Sequence, residues 1–303
     1  MDSNSVLYHY CSLATFFNII QNRSIWLSDV QKSNDSLELI SMRKLFVSQM
    51  DKEINKKIIQ YNLDMNWERA IQLYDLQKEA YDEIRKVISK HLVFCLSENG
   101  DLLSQWRGYA DDGNGVAIGF KKNFLNKINE LNTEQFPQRR EYFQFDQVSY
   151  DESAANDFIE NESGLDMFSS CKNTDEERLC LRNALSKVAI VAPFHKTDAF
   201  SEEREWRMII TYMLWNFECP DFSHYNNSDF IFKNIEYTVC QRKLIPHVEV
   251  IFPDIKKAIA SITIGPKCSE NIIDIRNFLI SMGVLENYND NSITITKSKA
   301  SYR

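Results

Sequence analysis

HLVFCLSENGDLLSQWRGYADDGNGVAIGF, residues 91–120, decides the fold. It opens on an apolar run of strand length, residues 91–97, bounded by Asn99 and Gly100, which predicts a strand lying centrally in a sheet. It closes on VAIGF, residues 116–120, a second strand. Between them, Trp106 and Tyr109 sit three apart, on one face of a helical turn, ahead of a turn built from Asp111, Asp112, Gly113, Asn114 and Gly115. The glycines are concentrated here. Average usage would give roughly 21 in a chain of this length, and this one has 8. Five of them, Gly100, Gly108, Gly113, Gly115 and Gly119, fall inside this segment, and neither glycine nor proline precedes Gly100. Such a pattern predicts backbone that must come close to something a side chain would obstruct.

Working outward, VLYHY at 6–10 and SIWLS at 24–28 predict short strands, with Ser12 as the cap of a helix over LATFFNIIQN. From Asn34 to about residue 90, apolar residues recur at three- and four-residue intervals, Leu37, Ile40, Leu45, Met50, Ile54 and Ile58, then Trp67, Ala70, Leu73, Leu76 and Ala80. That spacing predicts a long helical hairpin broken near Asn62–Asn66. Further strands are predicted at 141–150, 204–213, 248–252 and 260–266, and helices at 122–131, 152–168, 174–192 and 269–282, the last ending at Gly283. Strands and helices do not alternate strictly. The expectation is therefore one α+β domain over 1–303, with a mixed or mainly antiparallel sheet and residues 34–90 as a helical insertion.

The composition is 44% hydrophobic and 26% charged, which excludes a disordered, collagenous or coiled-coil chain. No run approaches the roughly eighteen apolar residues of a membrane span, and seven cysteines at irregular spacing lack the CxxC pairs of a zinc or redox motif. A cytoplasmic protein with reduced thiols, no metal and no membrane association is expected. The net charge of −8 argues against nonspecific nucleic-acid binding. Residues 146–177, where ten acids face one base, Lys172, account for more than all of it, and the remainder of the chain is about neutral. This stretch reads as a solvated helix and loop, with a docking surface for a basic partner as the alternative.

Three places can carry chemistry. Residues 102–120 lack both GxGxxG and GxxxxGK, so neither a dinucleotide fold nor a phosphate loop is indicated. They read as a packed helix and hairpin-like turn, or as a pocket in which aromatic faces and bare backbone receive a flat ring. In FHKTDAFSEEREWRMII, 194–210, strand alternation puts Glu203, Glu205 and Arg207 on one face and Arg204 and Trp206 on the other. Two carboxylates beside an arginine can divide labour, or form a salt-bridged rim. His9, inside VLYHY, is either a satisfied core histidine or a ligand-binding one.

Together, LYHYCS, SIWLSDVQKSNDSLE, VFCLSENGDLLSQWRGYADDGNGVAIGF, FHKTDAFSEEREWRM, SITIGPKCSENI and SKASYR resemble, in order, a widespread bacterial family known only as a domain of unknown function. Two departures from its pattern show: NDSLE has serine where the family often has proline, and DAFSEE stands where it more often has tryptophan. The order of His9, the aromatic segment and Glu203-Arg204-Glu205 is also similar to ADP-ribosyltransferase-like domains. That resemblance implies NAD as substrate, Glu205 with Glu203 as the catalytic carboxylates, and His9, Tyr109, Trp106, Arg107 and Arg207 as nucleotide-binding residues. It implies cleavage of the nicotinamide–ribose bond through an oxocarbenium-like state, with a protein or nucleic acid as acceptor or hydrolysis of NAD, in antiphage defence or as a toxin effector. Two alternatives stand beside it: a noncatalytic ligand- or partner-sensing module of a bacterial defence system, and an RNA- or nucleotide-processing enzyme with a basic groove at Arg139, Arg140, Arg204 and Arg207.

Overall fold

The apolar run around Leu92 becomes the middle of the sheet. The computed structural model describes residues 5–30, 38–86, 89–132, 141–213, 220–240 and 242–302. Among these the strands are β1 Val6–Cys11, β2 Ser24–Asp29, β3 Ser89–Ser97, β4 Val116–Lys121, β5 Glu141–Gln147, β6 Glu205–Met213, β7 Ile231–Phe232, β8 Glu236–Cys240, β9 Lys243–Ile251, β10 Ile259–Ile264 and β11 Thr294–Lys297. They form one sheet in the order β11-β10-β4-β1-β3-β2-β9-β7, with β6 on β3, β5 on β6 and β8 on β9. Among the described strands only the β10–β11 pairing is parallel. The helices are α1 Leu13–Asn22, α2 Glu38–Leu63, α3 Trp67–Lys86, α4 Leu103–Tyr109, α5 Lys122–Leu125, α6 Glu152–Asp157, α7 Thr174–Val191, α8 Ile255–Ala258 and α9 Ile272–Ser281. The α+β fold with a mixed, mainly antiparallel sheet is as the sequence leads one to expect.

The pairing of β3 places the site. One edge is matched along its whole length by β6, from Ser89 opposite Met213 to Ser97 opposite Glu205. The other edge is shared, because Leu92 and Val93 pair with β2 while Ser97 pairs with β1. β1 and β2 therefore splay apart beside Phe94 and Cys95. Residues opposite each other on neighbouring strands point to the same face, so Leu92, Phe94 and Leu96 share a face with Ile210, Met208 and Trp206. That face packs on Phe16, Ile19 and Ile20 of α1 in the larger core. Val93 and Ile209, on the other face, pack with Met50, Ile54, Leu73, Leu76 and Leu181 from α2, α3 and α7. Each such aliphatic side chain contributes about 1.5–3 kcal/mol on burial, which explains why helices spaced as α2 and α3 are lie flat on a sheet.

Some local expectations are corrected. The helix expected over 152–168 breaks into α6, a π turn at Phe158–Glu162 and a 3-10 turn at Leu165–Ser170. Gly164 at φ 90° ends the winding, and the Ser163 hydroxyl donates to the Ile159 carbonyl at 2.6 Å. The helix over 122–131 is likewise α5 continued by a 3-10 turn. The acidic stretch is not wholly solvated: Glu177 is fully buried between Lys57 at 2.8 Å and Arg69 at 2.9 Å, riveting α7 to the helical hairpin. Residues 34–37 of the NDSLE motif, Arg139, Arg140 and the terminal Arg303 lie outside the described residues. Among the described residues no helix is long and apolar enough to cross a membrane, and the six cysteines are free of disulfides.

The glycine-rich segment serves packing within the chain. A Cβ on Gly115 would stand 2.0 Å from the Cys11 carbonyl oxygen, and one on Gly100 would stand 2.5 Å from the Tyr8 ring. The bare backbone that the composition predicts is covered by β1 and by Tyr8, so at these positions it is not a face offered to a ligand.

Candidate active site

A cleft of about 370 Å³ opens where β1 and β2 splay. Its walls are Asn18 and Asn22 on α1, Ser24, Trp26 and Ser28 on β2, Val93, Phe94 and Cys95 on β3, His9 on β1, and Tyr109 at the end of α4. Strand alternation explains the β2 wall. Ile25 and Leu27 go into the core, while Ser24, Trp26 and Ser28 take the opposite face.

His9 fills the gap in the sheet. Its Nδ1 lies 2.9 Å from the Cys95 carbonyl oxygen, and its ring stacks on Phe94 at 4.2 Å. A carbonyl can only accept, so Nδ1 carries the proton and Nε2 keeps a lone pair. Burial at the base of the cleft lowers the imidazole to about 4, against a smaller upward pull from that hydrogen bond. The ring is thus neutral at physiological pH, with one acceptor nitrogen to offer. Tyr109, 51% exposed, faces the same space. Trp26, 44% exposed, rests on the His247 ring at 4.0 Å.

Trp106 parts from Tyr109. It is fully buried, edge-on to Tyr10 at 4.8 Å, and its indole N–H donates to Asp101 Oδ1 at 2.8 Å. Asp101 also accepts from the Ser298 hydroxyl at 2.5 Å and the Lys299 amide at 2.7 Å. The Tyr302 hydroxyl donates to Asp112. The closing residues Ser298 to Tyr302 therefore strap down the turn that carries Tyr109, and Trp106 anchors that turn from beneath. Arg107 is exposed on α4 and is not among the cleft-lining residues.

The ExE carboxylates stand behind Cys95. β6 begins at Glu205, while Glu203 belongs to the preceding 3-10 turn at Asp198–Glu203, and Arg204 takes the left-handed conformation (φ 42°) between them. Lys196 ties the two acids, with Nζ 2.7 Å from Glu203 and 3.4 Å from Glu205. Arg207 grips both Glu205 oxygens at 2.8 Å and donates to the Pro193 carbonyl at 2.6 Å. Desolvation would raise the Glu205 carboxyl, but the charges of Arg207 and Lys196 outweigh it and hold the group below its ordinary range. Cys95, opposite Arg207 in the pairing, exposes its thiol to the cleft. Burial by the surrounding walls and the Glu205 charge behind it push that thiol well above its ordinary range.

His9 and Tyr109 thus meet in one cleft, with Glu205 adjoining through Cys95, while Trp106, Arg107, Arg207 and Glu203 are placed outside it. Trp26, Cys95, the two asparagines of α1 and Lys196 are additions from the structure. One sequence signal marks Trp26: it is a large aromatic at the polar phase of the SIWLS alternation.

Residues 105–208, from α4 through the middle of β6, match a family described as protein of unknown function (DUF2971). The match covers the turn bearing Tyr109 and the Lys196–Arg207 network, and stops short of β1 and β2. No match is found among curated proteins, and none among solved structures.

Proposed function

We propose that the cleft binds a nucleotide by its ring and ribose, and that with NAD as ligand the protein breaks the nicotinamide–ribose bond, nicotinamide leaving with the bonding electron pair as water or a nucleophile of a macromolecular acceptor bonds to the ribose carbon. What supports this is the convergence of an acceptor on His9, the Tyr109 ring and the Trp26 ring on one cleft whose floor, Cys95, borders an ionised carboxylate. A flat ring lies against aromatic walls, a ribose hydroxyl donates to His9 Nε2, and the Glu205 charge opposes the positive charge that develops on the ribose. Nicotinamide is a good leaving group, so orientation and electrostatics suffice.

A second reading is binding without reaction. It is favoured by Arg207 and Lys196, which already balance Glu205. Calorimetric titration with NAD and chromatographic assay of nicotinamide release, on wild type and on Glu205→Gln, separate the two. Release by wild type and none by the variant, with NAD affinity kept, supports cleavage. Equal saturable binding with no release by either assigns the binding reading. No binding by wild type sinks both.

A further inference from the structure

The phosphate-free part of the ligand is the part for which the cleft is built; this rests on the nucleotide reading and says which chemical piece is recognised. We propose that the cleft recognises a nucleoside, base and ribose alone, and that phosphate adds nothing to affinity.

The lining carries the first argument. Among the described residues that form the cleft wall there is no lysine, arginine, aspartate or glutamate; its polar groups are amides, hydroxyls, a thiol and the neutral His9 ring. Drawing a phosphate from water into such a lining would cost hydration with no counter-charge in return. Arg23, exposed between the lining residues Asn22 and Ser24, is not itself part of the wall, and the arginines near Glu205 and Tyr109 do not supply a counter-charge either. Arg207 is 1% exposed and committed to Glu205 and the Pro193 carbonyl, and Arg107 stands outside the wall.

Hydrogen-bond polarity carries the second. With Nδ1 donated to the Cys95 carbonyl, His9 has only an acceptor left. A phosphate oxygen at neutral pH is also an acceptor, so the two repel. A ribose hydroxyl or an exocyclic amine donates, and fits. The third argument is the wall itself. Tyr109 and Trp26 present aromatic surface, and the side chains of Asn18, Asn22, Ser24 and Ser28 are hydrogen-bonding amides and hydroxyls. Of these Ser24 already donates to Glu249 at 2.6 Å, so its oxygen remains as an acceptor for a base or ribose N–H or O–H. This is the chemistry of a base edge and a sugar. A positively charged pyridinium ring is equally compatible, since aromatic faces attract cations.

The test uses pairs of ligands differing by one phosphate, adenosine with AMP and nicotinamide riboside with nicotinamide mononucleotide, together with NAD. Each is titrated calorimetrically into the full-length protein at 50 and 300 mM KCl. The expected result is that, for the base the cleft prefers, nucleoside and nucleotide bind within threefold of each other, and that affinity changes less than twofold between the two salts. Trp26→Ala should weaken both members of the pair at least tenfold, while its circular dichroism spectrum and cooperative melt show that the fold is retained. A nucleotide binding at least tenfold more tightly than its nucleoside, or losing tenfold in affinity at the higher salt, overturns the inference and leaves the nucleotide reading standing. If none of the five ligands binds, the nucleotide reading itself is overturned, and the inference with it.

Discussion

Replacing Arg207 by leucine is expected to cost about 3–5 kcal/mol at neutral pH, the range for leaving one member of a buried ion pair without its partner. The guanidinium is 1% exposed and holds both oxygens of Glu205, itself 6% exposed, at 2.8 Å. Without it the cation left beside Glu205 is Lys196 at 3.4 Å, which is shared with Glu203. At about 2–4 °C per kcal/mol for domains somewhat smaller than this chain, the melting temperature should fall by roughly 6–20 °C. The pH dependence has a definite sign. In the wild type the carboxyl is held below its ordinary value, so its contribution is complete above the carboxyl value of the unfolded chain and is lost as pH falls through the lower, folded one. In the variant, desolvation acts with much less opposition and raises the carboxyl, so protonation relieves it. The deficit relative to wild type should therefore shrink between pH 7.5 and pH 5.0. Urea unfolding at the two pH values reads it directly, and the Glu205→Gln/Arg207→Leu double variant should recover part of the loss. A single variant within about 1 kcal/mol of wild type, or a deficit independent of pH, would refute the assignment of this pair as a buried and mutually dependent one.

Other consequences are open to simpler measurement. Among the described residues neither ring nitrogen of the buried His247 has a hydrogen-bond partner; His247→Phe keeps the stack on Trp26 and should be neutral or stabilising by about 1 kcal/mol in thermal melts, whereas a loss of that size would show that the ring has a partner after all. Gly115→Ala brings a methyl onto the Cys11 carbonyl and should cost about 3 kcal/mol or more. Gly108→Ala, within α4 and with open space around it, should gain about 0.5–1 kcal/mol by urea unfolding. Asp101→Ala removes the acceptor of Trp106, Ser298 and Lys299 and should cost about 2–3 kcal/mol. It should also speed proteolytic removal of the last five residues, and unchanged cleavage would show that Asp101 is not what holds the strap.

Legibility in the sequence followed range. The runs at 6–10, 24–28 and 91–97 and the three- and four-residue spacing of apolar residues after Asn34 are local signals: the runs fall in β1, β2 and β3, and the spacing falls in α2 and α3, with residues 89–90 belonging instead to β3. β8 escaped because EYTVC, an edge strand with four of its five residues exposed, has no buried phase to alternate with. Glu177 escaped for the opposite reason: its partners Lys57 and Arg69 lie more than a hundred residues away, and a run of acids gives no hint which one is buried. The same limit governs the site. Strand alternation put Glu205 and Arg207 on one face, and the structure brings them together. Alternation could not show Lys196 bridging Glu203 and Glu205, nor the splay beside Cys95, because that depends on which strands flank β3. The glycine cluster was visible and its need for bare backbone was real, but composition cannot distinguish an approaching ligand from an approaching carbonyl.

Whether the cleft is catalytic turns on the grip of Arg207. A Glu205 oxygen that receives a ribose hydroxyl must loosen at least one charge-assisted hydrogen bond, worth about 1.5–3 kcal/mol, and on the catalytic reading that cost falls in the approach to the transition state. Arg207→Lys keeps the positive charge but loses the planar fork that holds both oxygens at once. It should therefore leave NAD affinity within twofold while raising the rate of nicotinamide release by about tenfold, the equivalent of about 1.4 kcal/mol. On the binding-only reading neither the fork nor the charge matters to the ligand, because Arg207 is not among the residues that line the cleft, and the variant should differ from wild type only in stability. Single-turnover rates under saturating NAD separate these outcomes. A rate that falls, with affinity unchanged, would show that the fork holds Glu205 in its working position and that the carboxylate acts without releasing either hydrogen bond.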